Sequence, residues 1–115
     1  MGAGPVAMCG NLTQAAQAHS DDQATMRKMT HIGSDGSTLV VRLNRSGYLP
    51  AASWGVGENV AWNFSSPSSV MTAWMNSAGH RANIVNPAFT HVGFGLTNFG
   101  NGYYWTQDFG HGGRC

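Results

Sequence analysis

The order of helical and strand-like patterns along the chain predicts an α+β fold. Apolar residues recur at helical spacing in the first third of the sequence and again near its middle. The last third instead alternates apolar with small or polar residues on both sides of Asn101-Gly102, a strong hairpin-turn signal. Since the helices precede the antiparallel strands and do not alternate with them, we expect helices packed on the faces of a sheet.

The first helix is predicted over residues 11–28. Asn11 followed by Gln14 resembles a capping arrangement. The residues that then fall at helical spacing are Leu12, Ala15, Ala16, His19 and Met26. We expect His19 to be packed and hydrogen-bonded on the apolar face of this helix, and not to act as a ligand.

A Gly-Ser-Asp loop over residues 30–37 leads into a second, short helix. Ser37 is placed near its N-terminus, and Gly47 ends it. Its inward side chains are predicted to be Leu39, Val40 and Leu43. Residues 48–57 are read as irregular, and residues 58–64 as a strand with alternating apolar side chains.

The third helix begins with Ser66 at the N-cap and Pro67 at the first helical position. Its apolar face comprises Val70, Met71, Trp74 and Met75. It is predicted to stop at Gly79, in a turn that presents His80 to a cleft, with a short helical turn over residues 82–85. Two strands follow, the second over residues 103–109.

Composition places the chain among single, secreted domains. It has 115 residues, only 10% of them charged, and a net charge of +1, which provides no broad electrostatic surface for nucleic acid or an anionic membrane. A transmembrane run of about 20 apolar residues is absent from the sequence. The first eight residues do not resemble a signal peptide, so secretion would require a signal that has been removed or that lies outside this sequence.

Cysteine and asparagine positions also indicate an extracellular protein. Cys9 and Cys115 lie near opposite ends, where a disulfide is favoured over two unpaired thiols. The N-glycosylation pattern occurs at Asn11, Asn44 and Asn63. Both features are typical of oxidising, extracytoplasmic compartments.

Three residues are candidates for a shared functional site. They are His31 at the start of the Gly-Ser-Asp loop, Glu58 in Gly57-Glu58-Asn59, and His80 in Gly79-His80-Arg81. Two imidazoles and a carboxylate can hold a divalent metal ion or form a general acid/base set. The alternative is that each side chain only hydrogen-bonds a loop backbone.

Four ordered segments resemble the CAP superfamily of cysteine-rich secretory, antigen 5 and pathogenesis-related 1 proteins, most closely its short microbial branch. They are residues 31–38 (His31-Ile32-Gly33), 57–61 (Gly57-Glu58-Asn59), 73–87 (Gly79-His80-Arg81) and 104–110 (Tyr104-Trp105-Thr106-Gln107). The resemblance implies a secreted, three-layer α-β-α sandwich with a mainly antiparallel central sheet. Residues 1–115 would form one such domain, with residues 1–8 as an N-terminal extension and 111–115 as a tail. By this resemblance we expect the fold to lack the usual first helix of the family.

The resemblance also implies a cavity lined by two histidines and two acidic residues. His31, Glu58 and His80 match three of these positions, and Ser77 stands at the fourth, where long members have a glutamate. It implies a divalent cation, zinc by preference, on His31 and His80. The rest of the cleft would comprise Glu58, Ser77, Asn59 and Arg81.

The leading functional hypothesis is a secreted binding module for a lipid or sterol, or for a host or cell-wall protein, acting as a monomer. A loop near Trp54, with Tyr48 and Leu49 close before it, is the expected exposed apolar patch. The alternative is a metal-assisted peptidase or esterase in which Glu58 takes the proton of a bound water. A secreted scaffold with a vestigial cavity is the third possibility.

Overall fold

Helices and strands divide the chain as the α+β prediction requires. The structure, a computed structural model, describes residues 6–49, 54–99 and 102–115. Asn101 of the expected hairpin turn lies outside these ranges. The described elements are β1 (Ala7–Met8), α1 (Gly10–Met26), α2 (Leu39–Arg45), β2 (Gly55–Trp62), α3 (Pro67–Met75), α4 (Ala78–Ile84), β3 (His91–Phe99) and β4 (Gly102–His111).

The sheet is mixed, with strand order β1-β3-β4-β2. β4 pairs antiparallel with both β3 and β2, as expected, whereas the short β1 runs parallel to β3. Ala7 and Met8 therefore belong to the sheet and are not part of an extension, because they add backbone hydrogen bonds at the β3 edge. The pairing of Phe99 with Gly102 confirms the late hairpin.

α1 covers one face of the sheet at unusually close range. A side chain at Gly93 or Gly95 of β3 would overlap the α1 backbone at Leu12–Thr13 or Ala16. Buried hydroxyl and amide groups reinforce the contact, since Ser20 and Gln23 both hydrogen-bond Thr106 of β4. His19 is 1% exposed and donates from Nε2 to the Thr30 carbonyl at 2.7 Å, which confirms its packed role.

α2 lies beside α1 on the same side of the sheet. Its N-cap is Thr38, whose hydroxyl accepts from the Val41 amide, so the cap is one residue later than predicted. Leu43 is fully buried, but Val40 is 40% exposed. The prediction for Val40 was wrong because the short helix turns that side chain toward solvent.

α3 and α4 form the opposite layer. Ser66 is the N-cap of α3 ahead of Pro67, as expected, and it also forms a capping box with Ser69. The indole N–H of Trp74 donates to the Val60 carbonyl of β2 at 3.1 Å. Gly79 does not form a loop turn, because it lies in the first turn of helix α4 and does not have a positive φ. The space that a Cβ at this position would occupy is open. A helix, and not a strained turn, therefore presents His80.

The segment expected to be an exposed apolar patch is partly core. Tyr48 is 0% exposed and Leu49 4%, and both pack in a cluster with Cys9, Leu12 and Leu43. Trp54, by contrast, is 43% exposed. The prediction failed at Tyr48 because Gly110 and Gly113 make room for its ring, which the sequence pattern does not reveal.

Candidate functional site

Glu58 is the centre of a buried polar cluster between the sheet, α1 and α2. Arg42 donates from Nη1 to Oε2 at 2.7 Å and from Nη2 to Oε1 at 3.1 Å. The ring of His31 donates from Nδ1 to Oε1 at 2.9 Å, and Arg42 also donates to the His31 carbonyl. The structure therefore brings His31 and Glu58 into direct contact. It adds Arg42, which the sequence analysis did not single out.

The charge on Glu58 is stabilised despite its burial. Burial alone would raise the pKa of Glu58, but the hydrogen bonds from His31 and Arg42, with the Arg42 charge, help to lower that pKa to about 2. A carboxylate of such low basicity, already held by a bidentate arginine, is a poor general base. The hydrolytic role considered for Glu58 stays a prediction, and this geometry does not favour it.

Asp108 is the second residue of this cluster that sequence reasoning missed. It is the cross-strand partner of Glu58, so both side chains lie on the face of the sheet that α1 covers. Asp108 is fully buried. The pairing of Asp108 with Glu58 depends on the β2–β4 register, which the sequence does not supply.

Asn59 organises the opposite face. Its buried amide donates to the His80 carbonyl at 3.1 Å and to Gln107 Oε1 at 3.0 Å, while its oxygen accepts from Asn83 at 2.9 Å. Asn83 also donates to the Glu58 carbonyl. Asn59 therefore fixes α4, and with it the backbone of His80, against the sheet.

His80 and Ser77 line a large, mostly apolar cavity at the β2 edge of the sheet. His80 Nδ1 lies 2.8 Å from Ser77 Oγ. The cavity has a volume of about 510 Å³, within the range of about 300–1,000 Å³ usual for ligand pockets. Its described lining residues are Arg27, Met29, Ala61, Trp62, Phe64, Ala73, Trp74, Ser77, His80 and Tyr104.

The predicted site residues thus fall into two groups. His31 and Glu58 meet in the Arg42 cluster, whereas Ser77 and His80 meet in the cavity; within the described ranges no hydrogen bond or ion pair joins the two histidines. Arg81 is exposed on α4. Asn59, adjacent to Glu58 in β2, is the link between the groups.

A metal ion finds no complete ligand set in the part of the chain that the structure describes. No three His, Cys, Asp or Glu side chains are grouped there as a metal site would require. Zinc usually takes at least three protein ligands, so these residues do not fit a conventional zinc centre. Zinc on His31 and His80 stays a prediction.

The cysteines and the N-glycosylation sequences, which led us to expect an extracellular protein, lie within the described ranges. Cys9 and Cys115 form a disulfide with an S–S distance of 2.12 Å, which confirms the pairing. Asn44 and Asn63 are exposed, whereas the Asn11 amide donates to the Arg114 carbonyl at 2.7 Å. Glycosylation at any of the three stays a prediction. No helix of the described ranges is long and apolar enough to span a membrane.

Comparison with known bacterial proteins gives two partial matches in sequence. The uncharacterized protein YkwD of Bacillus subtilis is 53% identical over 53 residues, which is 46% of this chain and 20% of YkwD. The uncharacterized membrane protein YlbC of the same organism is 30% identical over 96 residues, or 84% of this chain and 26% of YlbC. The chain therefore spans about a quarter or less of the length of these relatives.

Solved structures share the fold. An extracellular protein of Bacillus anthracis containing an SCP domain superposes with a TM-score of 0.76 and 31% identity, over 90% of this chain and 33% of that one. An outer surface protein of Borrelia burgdorferi superposes with a TM-score of 0.80 over 97% of this chain and 79% of that one, at 18% identity. A family model described as "CAP: Cysteine-rich secretory protein family" matches residues 1–109. The α+β sandwich, the ordered motifs and this match together show that the chain belongs to the cysteine-rich secretory protein (CAP) family.

Proposed function

We propose that the protein is an extracytoplasmic binding domain for an amphipathic lipid, whose apolar part occupies the cavity beside β2. The observation that carries the proposal is the cavity lining: Trp62, Phe64, Trp74 and Tyr104 supply aromatic walls, with few polar groups among them. Apolar walls with a small number of placed polar groups are typical of sites for organic ligands.

The polar groups of the lining favour an anionic head group. The described lining includes Arg27 and His80 but no acidic residue. Arg27 lies immediately after α1 in a left-handed conformation, and it belongs to the cavity lining. A fatty-acid carboxylate would gain from this guanidinium, whereas a neutral sterol would use only the apolar walls.

Several exposed apolar side chains support entry of a lipid from this side. Met29 is 52% exposed and Trp62 44%, and both belong to the cavity lining. Met75, at the end of α3, is 37% exposed. Exposed apolar groups around a cavity provide the first contact for a ligand that arrives from a micelle or membrane.

Location outside the cell is part of the proposal. The Cys9–Cys115 disulfide fits an oxidising compartment. The similar proteins of Bacillus anthracis and Borrelia burgdorferi are described as extracellular and outer-surface proteins. An extracellular protein partner, the other expectation from the sequence, would add to lipid binding without replacing it.

Binding of two fluorescent probes tests the proposal. Dansyl-undecanoic acid is the anionic probe, and dehydroergosterol is the neutral one. We expect the acid to bind, and Ala73→Trp, which fills the cavity, to abolish binding; Ala82→Trp on the exposed side of α4 is the matched control. Failure of both probes to bind the parent protein would overturn the lipid proposal.

The head-group assignment has its own control pair. Arg27→Gln should weaken binding of the acid about fivefold, the size expected for an exposed ionic contact, and leave dehydroergosterol unaffected. Lys28→Gln removes the neighbouring charge outside the described lining and should change neither. Equal losses for Arg27→Gln and Lys28→Gln, or tight binding of the sterol alone, would refute the anionic head group.

Calorimetric titration of the protein with zinc tests the predicted cation. If zinc binds through both imidazoles, His31→Ala and His80→Ala should each abolish zinc binding measured by calorimetry. Loss in one variant only would place the ion on a single histidine.

A further inference from the structure

Glu58 and Asp108 form a buried carboxyl pair on adjacent strands. They are directly opposed in the β2–β4 register, and as whole residues, backbone included, they are 7% and 0% exposed. Opposed side chains of an antiparallel pair have Cβ atoms about 5 Å apart, close enough for the carboxyl groups to touch. Two like charges at such a distance in a dry interior are strongly unfavourable.

Asp108 lacks hydrogen-bond donors that could compensate a negative charge. Within the described ranges neither of its oxygens meets an N–H or O–H donor, and the Nε of Arg42 likewise meets no acceptor. The terminal nitrogens of Arg42 are already used by Glu58 and the His31 carbonyl. An ionised Asp108 would thus be a buried charge without a hydrogen bond, offset only in part by the charge of Arg42, which Glu58 already holds.

The other titratable groups around the pair do not compensate a negative charge on Asp108. From α1, His19 lies 4.0 Å from Glu58 Oε1, and burial lowers the pKa of His19, so it is neutral at neutral pH. From the loop between α1 and α2, His31 donates to Glu58. Arg42 of α2 is then the one fixed cation among these groups, facing two carboxyls.

We propose that Asp108 is held in the folded protein as a neutral carboxylic acid that donates its O–H to the carboxylate of Glu58. Glu58 keeps the negative charge because Arg42 contacts it and not Asp108. The proton satisfies Asp108 and adds a further donor to Glu58, which already accepts from Arg42 and His31. Asp108 is therefore a positioning residue for Glu58, and through it for His31.

The electrostatics of the pair agree with this assignment. Burial, and then the negative charge of Glu58, raise the pKa of Asp108 well above its usual value. The hydrogen bond to Asp108 acts in the opposite sense on Glu58, whose pKa it helps to lower. The pKa values of the two carboxyls are thus shifted in opposite directions, as expected when one proton is shared unequally between them.

Reciprocal amide substitutions test which carboxyl holds the proton. Asp108→Asn retains the shape and a donor toward Glu58, so it should unfold at the same or a higher urea concentration than the parent at neutral pH. Glu58→Gln removes the charge that Arg42 needs, so it should unfold at a much lower concentration. The reverse order, with Asp108→Asn the damaging change, would overturn the proposal.

The pH dependence of the same pair gives a second test. The pKa of Asp108 is higher in the folded protein than its value of 3.8 in the unfolded chain. Protonation of Asp108 therefore stabilises the folded state fully at pH values below 3.8, and this stabilisation is lost as the pH rises toward the folded-state pKa. From about pH 4 upward, the unfolding constant of the parent relative to Asp108→Asn should therefore rise about tenfold per pH unit. A ratio that stays constant with pH would refute a protonated Asp108.

A spectroscopic readout keeps the test valid if Glu58→Gln does not fold. In parent protein labelled with ¹³C-aspartate, the carboxyl signal that Asp108→Asn removes should have the chemical shift of a protonated acid at neutral pH. The ¹⁵N spectrum of His31 should show the Nδ1–H form in both parent and Asp108→Asn. An ionised Asp108 signal at neutral pH would refute the proposal outright.

Discussion

The guanidinium of Arg42 binds the carboxylate of Glu58 through two hydrogen bonds, of 2.7 and 3.1 Å, while the arginine side chain is only 9% exposed and the glutamate 2%. This pair joins α2 to the edge strand β2. The pair also holds His31 in place, because the His31 ring donates to Glu58 and the His31 carbonyl accepts from Arg42. The Gly-Ser-Asp loop is therefore held by a buried ion pair as well as by its own turns.

Replacing Arg42 by Met should destabilise the protein strongly. The change leaves Glu58 as an uncompensated buried charge, which is expected to lower the free energy of unfolding by about 3–5 kcal/mol. Urea denaturation of the parent and the variant measures the difference. Arg45→Met is the matched control, because it breaks the 60%/53% exposed pair with Asp35 and should have little effect. Equal effects of the two variants would contradict a special role for Arg42.

Acid should weaken the fold through Glu58. The pKa of Glu58 is lower in the folded chain, about 2, than its ordinary 4.5, so its stabilisation is present above about 4.5 and is lost as pH falls toward 2. Denaturation midpoints between these limits, measured in an Asp108→Asn background to isolate Glu58, should fall with pH. Adding Glu58→Gln should remove most of that slope; a slope that persists would assign it to other carboxyls.

The local elements of the fold could be predicted from sequence because their signals are local. Ser66-Pro67 marks the start of α3 through capping chemistry, and alternation marks β3 and β4. Gly79 was misread, since a glycine inside a helix and a glycine in a turn have the same sequence signature. Strand β1 was not predicted, because a segment of two residues shows no periodicity and its pairing with β3 depends on the whole sheet.

The site could be predicted only in part for the same physical reason. His31 and Glu58 lie in recognisable motifs, and the structure joins them. Arg42 looked like an ordinary polar residue of α2, and Asp108 like one of two alternating strand residues. Their roles depend on the packing of α2 on β2 and on the β2–β4 register, neither of which is encoded in nearby residues.

Gly95 should be intolerant of even a methyl group. An added Cβ would overlap the backbone of Ala16 in α1, and backbone cannot move aside as a flexible side chain does. We expect Gly95→Ala to lower the free energy of unfolding by about 3 kcal/mol, the upper end of the range for overpacking. Gly79→Ala in α4 is the contrasting control, since nothing lies within 4 Å of the added Cβ. It should stabilise by about 0.5–1 kcal/mol through helix propensity. Similar denaturation midpoints for the two variants would refute the close α1–β3 contact.

Reduction of the Cys9–Cys115 disulfide should cause a large loss of stability. The bond spans a sequence separation of 106 residues, and closing a loop of about that size stabilises a folded protein by about 4–5 kcal/mol in the chain-entropy account. It also fixes the C-terminal segment, where Asn11 donates to the Arg114 carbonyl and the Arg114 amide donates to the Tyr48 carbonyl. Thermal melting with and without dithiothreitol measures the effect. The double variant Cys9→Ala, Cys115→Ala should melt like the reduced parent and be insensitive to the reductant. A parent whose melting is unchanged by complete reduction would show that those backbone contacts, and not the disulfide, hold the chain end to the core.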